Sequence, residues 1–276
     1  MPFLQAGGSR LEYEWYGPKP EDALTLVFLH GGLGSATAWG DYPERLALAL
    51  DCGALAYSRI GYGNSDPVNS PRSIDFMHQE ALAVLPDVLG ALQIRQAVLI
   101  GHSDGGSIAL IYSGSKAAKV SIRALVLEAP HVFVEDITIS SIAAAVENYH
   151  GGGLRVSLQK YHGNVDNTFE SWSRVWLDPA FRSWNITEYL PHIVIPVLVI
   201  QGKQDNFGTT LQVELISHNC GGPVQKVIFP NCGHRPHRRH PELTLRATVD
   251  FLRTHMVNTQ VSRKEADNHG RAFGKG

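Results

Sequence analysis

The sequence is short of cysteine and of net charge, and each shortage excludes a class of protein. Cys52, Cys220 and Cys232 are too few for a disulfide framework in 276 residues, and their small number favours a reducing compartment. The 24 lysines and arginines nearly balance the 26 aspartates and glutamates, so the formal charge is only -2. Because no broad positive field is present to hold a polyanion, we expect no nucleic-acid partner.

The sequence also lacks the features of export and of membrane insertion. Residues 1–7 have neither the basic start nor the apolar core of a secretory signal peptide. The longest strongly apolar stretch, residues 193–200, is interrupted by Pro196 and is much shorter than a membrane-spanning helix. We therefore expect a cytoplasmic protein that has no membrane partner.

What the sequence does contain is an alternation of short apolar runs with longer stretches of helical periodicity. The runs are apolar on both faces, which is typical of strands inside a parallel sheet, and they lie at residues 24–29, 54–57, 97–100, 124–127, 197–200 and 227–229. The predicted helices cover residues 39–50, 74–92, 103–113, 209–219 and 241–255. The alternating pattern at residues 11–16 predicts a hairpin of two edge strands. This order predicts an α/β fold with a doubly wound, mostly parallel sheet and helices on both faces.

One interval and the C-terminal segment depart from this alternation. Residues 130–190 are too many for a single crossover helix, and their periodicity predicts a mainly helical insertion into a core of residues 1–129 and 191–256. Trp172, Trp176 and Trp184 lie in the insertion, where they either pack it onto the core or line a substrate pocket. Residues 257–276 are polar and poor in aromatics, which predicts a disordered tail.

Residues 101–105 read Gly-His-Ser-Asp-Gly and match the pattern of a nucleophile elbow. The pattern follows a predicted buried strand and precedes a predicted helix, as such a turn requires, because small neighbours allow the chain to turn sharply and expose the serine hydroxyl. The helix N-terminus also directs N–H groups towards negative charge that forms near Ser103. The alternative is that Ser103 only caps the helix.

A serine hydroxyl needs a base to accept its proton and an acid to orient that base. Asp205 follows the strand at 197–200, and His234 follows the last strand of the sheet. Because the carboxyl ends of parallel strands meet at one edge of a sheet, Ser103, Asp205 and His234 are expected to converge. His237 and His240 are the alternatives to His234. Glu128 is the alternative acid, although we interpret it as a structural or pocket carboxylate.

An acyl-transfer site also needs two N–H donors for the oxyanion. One is expected to be the backbone N–H of Asp104, the residue after the nucleophile. The other should come from the glycine-rich turn after the strand at 24–29, where Gly32 is preferred and Leu33 is the alternative. We expect His30, at the start of this turn, to stabilise the turn rather than to take part in catalysis.

Together these motifs resemble the α/β-hydrolase superfamily with a cap domain. The resemblance spans about residues 10–255 and rests on the motifs at residues 30–32, 59–65 and 101–106, on Asp205, and on Gly233 with His234. It implies an eight-stranded, mostly parallel sheet and a helical cap at residues 130–190. It also implies Ser103 as nucleophile, His234 as base and Asp205 as orienting acid, with no cofactor and no metal.

Asp104 is unusual within that superfamily, because many relatives have an apolar residue after the serine. A carboxylate facing the oxyanion would oppose catalysis, so the Asp104 side chain should turn away or meet a positive charge. Arg59 is one candidate partner, and a positive group of the substrate is the other. The Ser-Asp pair is similar to that of valacyclovir-hydrolase-like amino-acid-ester hydrolases. We therefore list Asp104, with Trp172 and Trp176, as candidate substrate-binding residues.

The sequence thus predicts a serine hydrolase that cleaves a carboxylic ester of a small molecule through an acyl-enzyme. A carbon–carbon bond hydrolase of ring-cleavage products uses the same triad and remains an alternative. A non-catalytic small-molecule receptor is a third possibility, but a receptor has no need of nucleophile, base, acid and oxyanion donors together. A haloalkane dehalogenase is disfavoured, because it would have aspartate where this chain has Ser103.

Overall fold

The computed structural model describes residues 1–69, 71–116 and 119–255, so the predicted tail at 257–276 lies outside the described residues. The described part contains one sheet of eight strands in the spatial order β1-β2-β4-β3-β5-β6-β7-β8. The strands are β1 (Phe3–Ala6), β2 (Ser9–Tyr16), β3 (Thr25–Leu29), β4 (Gly53–Tyr57), β5 (Gln96–His102), β6 (Ser121–Glu128), β7 (Val197–Gly202) and β8 (Val224–Phe229).

The sheet is parallel except at its N-terminal end. β1 pairs with β2, and β2 with β4, in antiparallel fashion, while the pairs from β4 through β8 are parallel. The predicted eight-stranded, mostly parallel sheet is therefore confirmed. The hairpin differs in one respect from the expectation of two edge strands, because only β1 lies at the edge and β2 is paired on both sides.

Helices connect the strands. They are α1 (Tyr42–Leu50), α2 (Phe76–Gln79), α3 (Leu85–Ala91), α4 (Asp104–Gly114), α5 (Asp136–His150), α6 (Gly153–Leu158), α7 (Val165–Leu177), α8 (Leu211–Asn219) and α9 (Pro236–Arg239). A π-helical turn, Glu80–Val84, joins α2 to α3. Residues 241–255 are also helical.

The two faces of the sheet are covered by different helices, because successive side chains of a strand point to opposite faces. In β3, Leu26 and Phe28 belong to the core formed with α1 and with residues 241–255. Val27 and Leu29 belong to the core formed with α2, α3 and α4. All five residues of β3 are buried, which is why its sequence reads as a continuous apolar run.

The segment between β6 and β7 contains α5, α6 and α7, followed by two short 3₁₀ helices, Pro179–Ser183 and Thr187–His192. It contacts loops of the core through hydrogen bonds. The Gly163 N–H donates to the Gly63 carbonyl at 2.9 Å, and the Thr168 hydroxyl donates to the Gly61 carbonyl at 2.6 Å. These helices therefore lie over the loops that follow the strands.

Two strands, β6 and β8, begin three residues before their predicted starts, and the reason is clearest for β8. It begins at Val224, and its residues are exposed or half-buried, none of them fully buried. β8 is the last strand of the sheet and pairs only with β7 among the described residues. An edge strand does not need a continuous apolar run, so a search for such runs detects only its end.

Candidate active site

Ser103 lies at the sharp turn between β5 and α4. Its backbone has φ 52° and ψ −121°, a sparsely populated conformation for a residue other than glycine. A Cβ atom at Gly105 would lie 1.9 Å from the Leu29 carbonyl oxygen, and one at Gly101 would lie 2.4 Å from the Gly105 carbonyl oxygen. The two glycines of the motif are therefore required by space. The Ser103 side chain makes no helix-capping hydrogen bond, which argues against a capping role.

The structure brings Ser103, His234 and Asp205 together in one hydrogen-bonded chain. The Nε2 atom of His234 lies 3.0 Å from the Ser103 Oγ. The Nδ1 atom of His234 lies 2.8 Å from the Asp205 Oδ2 and 3.0 Å from its Oδ1. This geometry lets the serine hydroxyl donate to Nε2 while the Nδ1–H donates to the carboxylate. The three side chains thus form the hydrogen bonds expected between a nucleophile, a base and an orienting acid.

Further donors hold the Asp205 carboxylate in place. The side-chain amide of Gln201 donates to Oδ2 at 2.8 Å, and the Phe207 N–H donates to Oδ1 at 2.8 Å. Burial acts to raise the pKa of Asp205, but the charge and hydrogen bond of His234 and the Phe207 N–H outweigh it, so the pKa is lowered. Asp205 therefore stays ionised at neutral pH and orients the imidazole.

The backbone of the catalytic loop is fixed by His102, the residue before the serine. Its Nε2–H donates to the His234 carbonyl at 2.7 Å. Burial, followed by the nearby His234 and His237, holds the pKa of His102 well below its usual value. His102 is thus a neutral imidazole that ties the elbow to the loop carrying His234.

The two N–H groups expected to bind an oxyanion are unoccupied. Within the described residues, neither the Gly32 N–H nor the Asp104 N–H donates a hydrogen bond, and the Leu33 N–H is equally free. A Cβ atom at Gly32 would lie 2.0 Å from the indole nitrogen of Trp172. Gly32 therefore permits helix α7 to pack directly on the turn that follows β3. The choice between Gly32 and Leu33 as second donor remains a prediction.

His30, at the start of this turn, is occupied on both ring nitrogens. Nδ1 lies 2.8 Å from the Gly31 carbonyl, and Nε2 accepts from the Arg59 N–H at 3.1 Å. Burial and, after it, the charge of Arg59 hold the pKa of His30 well below its usual value. This arrangement fits a residue that stabilises the turn.

The side chain of Asp104 is buried and lies against the same cavity as Ser103. The Arg59 guanidinium donates to the carbonyls of His30 and Gly31 rather than to Asp104, and no ion pair joins Arg59 to Asp104. The Asp104 Oδ2 has no hydrogen-bond partner. Burial raises the pKa of Asp104, and Arg59 opposes that rise only from a distance. Direct pairing with Arg59, one of the two partners considered for Asp104, is therefore wrong.

The alternative acid and base form a separate pair. The Nδ1–H of His237 donates to Glu128 Oε2 at 2.8 Å, and the His237 backbone N–H donates to the same oxygen at 3.0 Å. The His237 ring lies 4.7 Å from that of Trp39, centroid to centroid, and forms no hydrogen bond with Ser103. His240, the other alternative, bonds the Asn231 carbonyl through its Nε2.

A cavity of about 520 Å³ lies above the triad. This volume suits a small-molecule ligand. Trp172 and Trp176 line it together with residues of the core, while Trp184 packs against Trp176 and Phe181. The polar residues of the wall that were missed from the sequence include His131, Arg235, Arg238 and Arg239. The three arginines follow His234 within five positions, and this spacing was the available signal.

Other chemistry-bearing groups are sparse in the part of the chain that the structure describes. None of the three cysteines is bonded to another. No cluster of three or more histidine, cysteine, aspartate or glutamate side chains with the arrangement of a metal site occurs among the described residues. No described helix is long and apolar enough to span a bilayer.

A serine on a strand-to-helix turn, bonded to a histidine at the carboxyl edge of a parallel sheet, defines the class of α/β hydrolases. The family model described as "Alpha/beta hydrolase family" matches residues 26–247. The chain therefore belongs to the α/β-hydrolase family, and the resemblance seen in its motifs is confirmed.

Three curated relatives show how varied the similar proteins are. The non-heme chloroperoxidase of Streptomyces lividans is 26% identical over 226 residues, which cover 72% of this chain and 79% of that protein. The serine hydrolase BPHL of Homo sapiens is 25% identical over 257 residues, covering 90% and 85%. The 2-hydroxy-6-oxo-6-phenylhexa-2,4-dienoate hydrolase of Comamonas testosteroni is 25% identical over 255 residues, covering 83% and 87%.

Proposed function

We propose that this chain is a serine hydrolase that cleaves a carboxylic ester of a small molecule through an acyl-enzyme. The observation that carries the proposal is the hydrogen-bonded chain from Ser103 through His234 to Asp205 at the base of a cavity. In this proposal residues 1–129 and 191–256 form the catalytic core, and residues 130–190 form a cap over it. The three unpaired cysteines support a location in the cytoplasm.

The first half of the reaction acylates Ser103. His234 accepts the hydroxyl proton on Nε2 as the oxygen attacks the ester carbonyl, and Asp205 stabilises the imidazolium through Nδ1–H. The tetrahedral intermediate collapses when the same imidazole returns the proton to the leaving alcohol. In the second half, a water molecule replaces the alcohol, and the cycle of proton transfer repeats to release the acid.

Backbone donors lower the barrier of both halves. The N–H groups of Asp104 and Gly32 are free, and α4 begins at Asp104, so its positive end also faces the developing oxyanion. Removing one donor of such a pair typically costs about 10²–10³ in kcat.

The acyl group bears a positive charge in the more specific form of the proposal. Asp104 is buried beside Ser103, lacks an ion-pair partner and has a raised pKa. An ammonium group bound against it would favour the ionised carboxylate and offset its burial. Trp172 and Trp176 would then enclose this group and the acyl chain. The similarity to BPHL, a serine hydrolase, is compatible with this assignment.

Carbon–carbon bond hydrolysis is the second candidate function. The observation in its favour is the similarity to the dienoate hydrolase of Comamonas testosteroni over most of both chains. The same nucleophile, base and oxyanion donors serve that chemistry, so the triad by itself does not separate the two reactions.

A panel of substrates separates the candidates. We expect turnover of chromogenic esters of graded acyl length, faster turnover of an α-amino ester than of its des-amino analogue, and none of a vinylogous diketone ring-cleavage product. Faster cleavage of the diketone than of every ester would favour carbon–carbon hydrolysis. Equal kcat/KM values for the amino ester and its analogue would remove the ammonium subsite, and binding without any turnover would indicate a receptor.

A further inference from the structure

Three arginines occupy one side of the cavity that contains the triad. Arg235, Arg238 and Arg239 all line this cavity and are all exposed, whereas Ser103 and Asp104 are buried. The arginines therefore lie towards the mouth of the cavity, and the reacting serine lies at its base. Arg235 directly follows His234 in the chain, and its charge acts on the neighbouring buried His102.

The three positive charges have no carboxylate partners among the described residues. No aspartate or glutamate forms an ion pair with any of the three. Two acids of the site are engaged elsewhere, since Asp205 binds His234 and Glu128 binds His237. Asp104, a third, is buried and forms no ion pair with any of the three arginines. In a chain with a formal charge of -2, such a local excess of positive charge is distinctive.

The guanidinium groups retain donors for a ligand. Arg238 donates to the Tyr161 hydroxyl at 3.2 Å and to the Ala38 carbonyl, which connects the cap to the core. These bonds use only part of the donor set of a guanidinium, which has five N–H groups. The side chains of Arg235 and Arg239 donate no hydrogen bond to any described side chain or backbone carbonyl. Limited solvation at the cavity wall, together with Arg238, also lowers the pKa of Arg235.

We propose that Arg235, Arg238 and Arg239 form a binding site for an anionic group of the substrate, a carboxylate or a phosphate. Guanidinium groups bind both anions through paired, charge-assisted hydrogen bonds. The anion neutralises the repulsion among the arginines and places the rest of the molecule along the cavity towards Ser103. The inference rests on the proposed hydrolase function, because it names a chemical feature of that enzyme's substrate.

Two matched pairs of esters test the site. In the first pair the charge is on the acyl side: the para-nitrophenyl monoester of adipate against the para-nitrophenyl ester of adipamate. In the second it is on the alcohol side: meta-carboxyphenyl pentanoate against meta-carbamoylphenyl pentanoate. We expect the anionic member of at least one pair to have a kcat/KM about tenfold higher than its neutral partner, and this ratio to fall with added salt.

Arginine variants connect the preference to the site. Arg235→Gln and Arg239→Gln should each bring the ratio towards one. Arg246→Gln is the matched control, because Arg246 is exposed on the C-terminal helix, pairs with Asp250 at 3.6 Å and does not line the cavity. A ratio near one for both ester pairs in the wild-type protein would overturn the proposal. So would a loss of preference in Arg246→Gln as large as that in Arg235→Gln.

Direct binding keeps the proposal testable if no ester is turned over, an outcome that would reject the hydrolase function alone. Calorimetry with Ser103→Ala should detect monomethyl adipate, butyl phosphate or both, and thereby distinguish carboxylate from phosphate. When Arg235→Gln is combined with Ser103→Ala, the Kd of the anion should rise about tenfold. Absence of binding by both anions, or equal binding with and without Arg235, would reject the anion site.

Discussion

The site contains two histidine–carboxylate pairs that share the same hydrogen bond but differ in what the imidazole contacts on its other side. In each, an imidazole Nδ1 lies 2.8 Å from a carboxylate oxygen, in one case His234 with Asp205 and in the other His237 with Glu128. On the other side of the His234 ring, the Nε2 atom lies 3.0 Å from the Ser103 Oγ. The His237 ring instead packs on aromatic rings. Pairing with a carboxylate orients a histidine, and only a nucleophile on its other side makes it a catalytic base.

The two pairs also differ in what they hold. Asp205 accepts from Gln201, at the end of β7, and from Phe207, in the loop that follows, so apart from His234 its partners lie in its own strand and loop. Glu128 lies at the end of β6 and accepts from both the ring and the backbone of His237. It therefore anchors the segment that begins with His234 to the sheet. We therefore expect Glu128 to act on the reaction only by positioning this loop.

The largest expected effect comes from the serine, which distinguishes one pair from the other. Ser103→Ala should lower kcat for the best ester by about 10⁵–10⁶, because every step through the acyl-enzyme is removed. Discontinuous assays at high enzyme concentration would measure the residual rate, and circular dichroism would establish that the variant is folded. Retention of more than a small fraction of wild-type activity would contradict the assignment of Ser103.

Replacement of the catalytic carboxylate should have the next largest effect. Asp205→Asn keeps the shape of the side chain but loses the anionic acceptor that orients the Nδ1–H of His234 and stabilises the imidazolium, so we expect kcat to fall about 10⁴-fold. Its free energy of unfolding should change much less than its activity. If Glu128 were able to take over the role of acid, the loss would be tenfold or smaller, and the proposed division between the two pairs would fail.

Disruption of the second pair should show the opposite balance. Glu128→Gln leaves His237 without its anionic partner in a buried position, so the free energy of unfolding should fall by about 3 kcal/mol. The kcat should fall only about tenfold, because His234 keeps Asp205 and Ser103 and loses only the anchor of its loop. Urea unfolding and ester hydrolysis on the same preparation measure both. A loss of activity as large as that of Asp205→Asn would contradict a positioning role.

The smallest expected effect, and the one that depends most on pH, comes from Asp104, a carboxyl that belongs to neither pair. Its pKa is raised in the folded protein, chiefly by burial. Between the unfolded and folded pKa values the folded state binds more protons, so stability decreases as pH rises. Each unit of such a shift corresponds to about 1.4 kcal/mol. Asp104→Asn removes this pH-dependent destabilisation. The difference in free energy of unfolding between the variant and the wild type should therefore favour the variant more at about pH 7.5 than at low pH.

Urea unfolding of Asp104→Asn and the wild type across the pH range measures the difference. The advantage of the variant should shrink as pH falls through about 4, where an ordinary aspartate becomes protonated in the unfolded chain as well. An advantage that grows towards acid pH would show that Asp104 is stabilised as an anion in the folded protein, and the ammonium subsite would lose its physical basis.

Several features of the fold could be predicted from the sequence, for local reasons. Strands β3 and β4 are wholly buried, so their apolar runs are visible without a structure. The elbow is visible because its glycines have no room for a Cβ atom. Strand β8 was recognised only at its end, since Gln225 and Lys226 interrupt its apolar run.

The wall of the cavity could not be predicted in the same way. His131, Arg235, Arg238 and Arg239 carry no periodic signal, and their positions depend on how the cap and the last loop meet. The candidate pairing of Asp104 with Arg59 was wrong for a related reason. The Arg59 guanidinium is already bound to two backbone carbonyls, and such competition for a donor is invisible in a sequence.

The sequence by itself determined the order of strands and helices, the turn that carries Ser103, and the strand ends after which Asp205 and His234 fall. These are properties of short segments, governed by burial, backbone space and the shared edge of a parallel sheet. Only the tertiary structure decided which of thirteen histidines meets which carboxylate, and that Asp104 is left without a cation. Those outcomes depend on distances of a few ångströms between groups far apart in the chain, because hydrogen bonds and ion pairs lose their strength beyond that range.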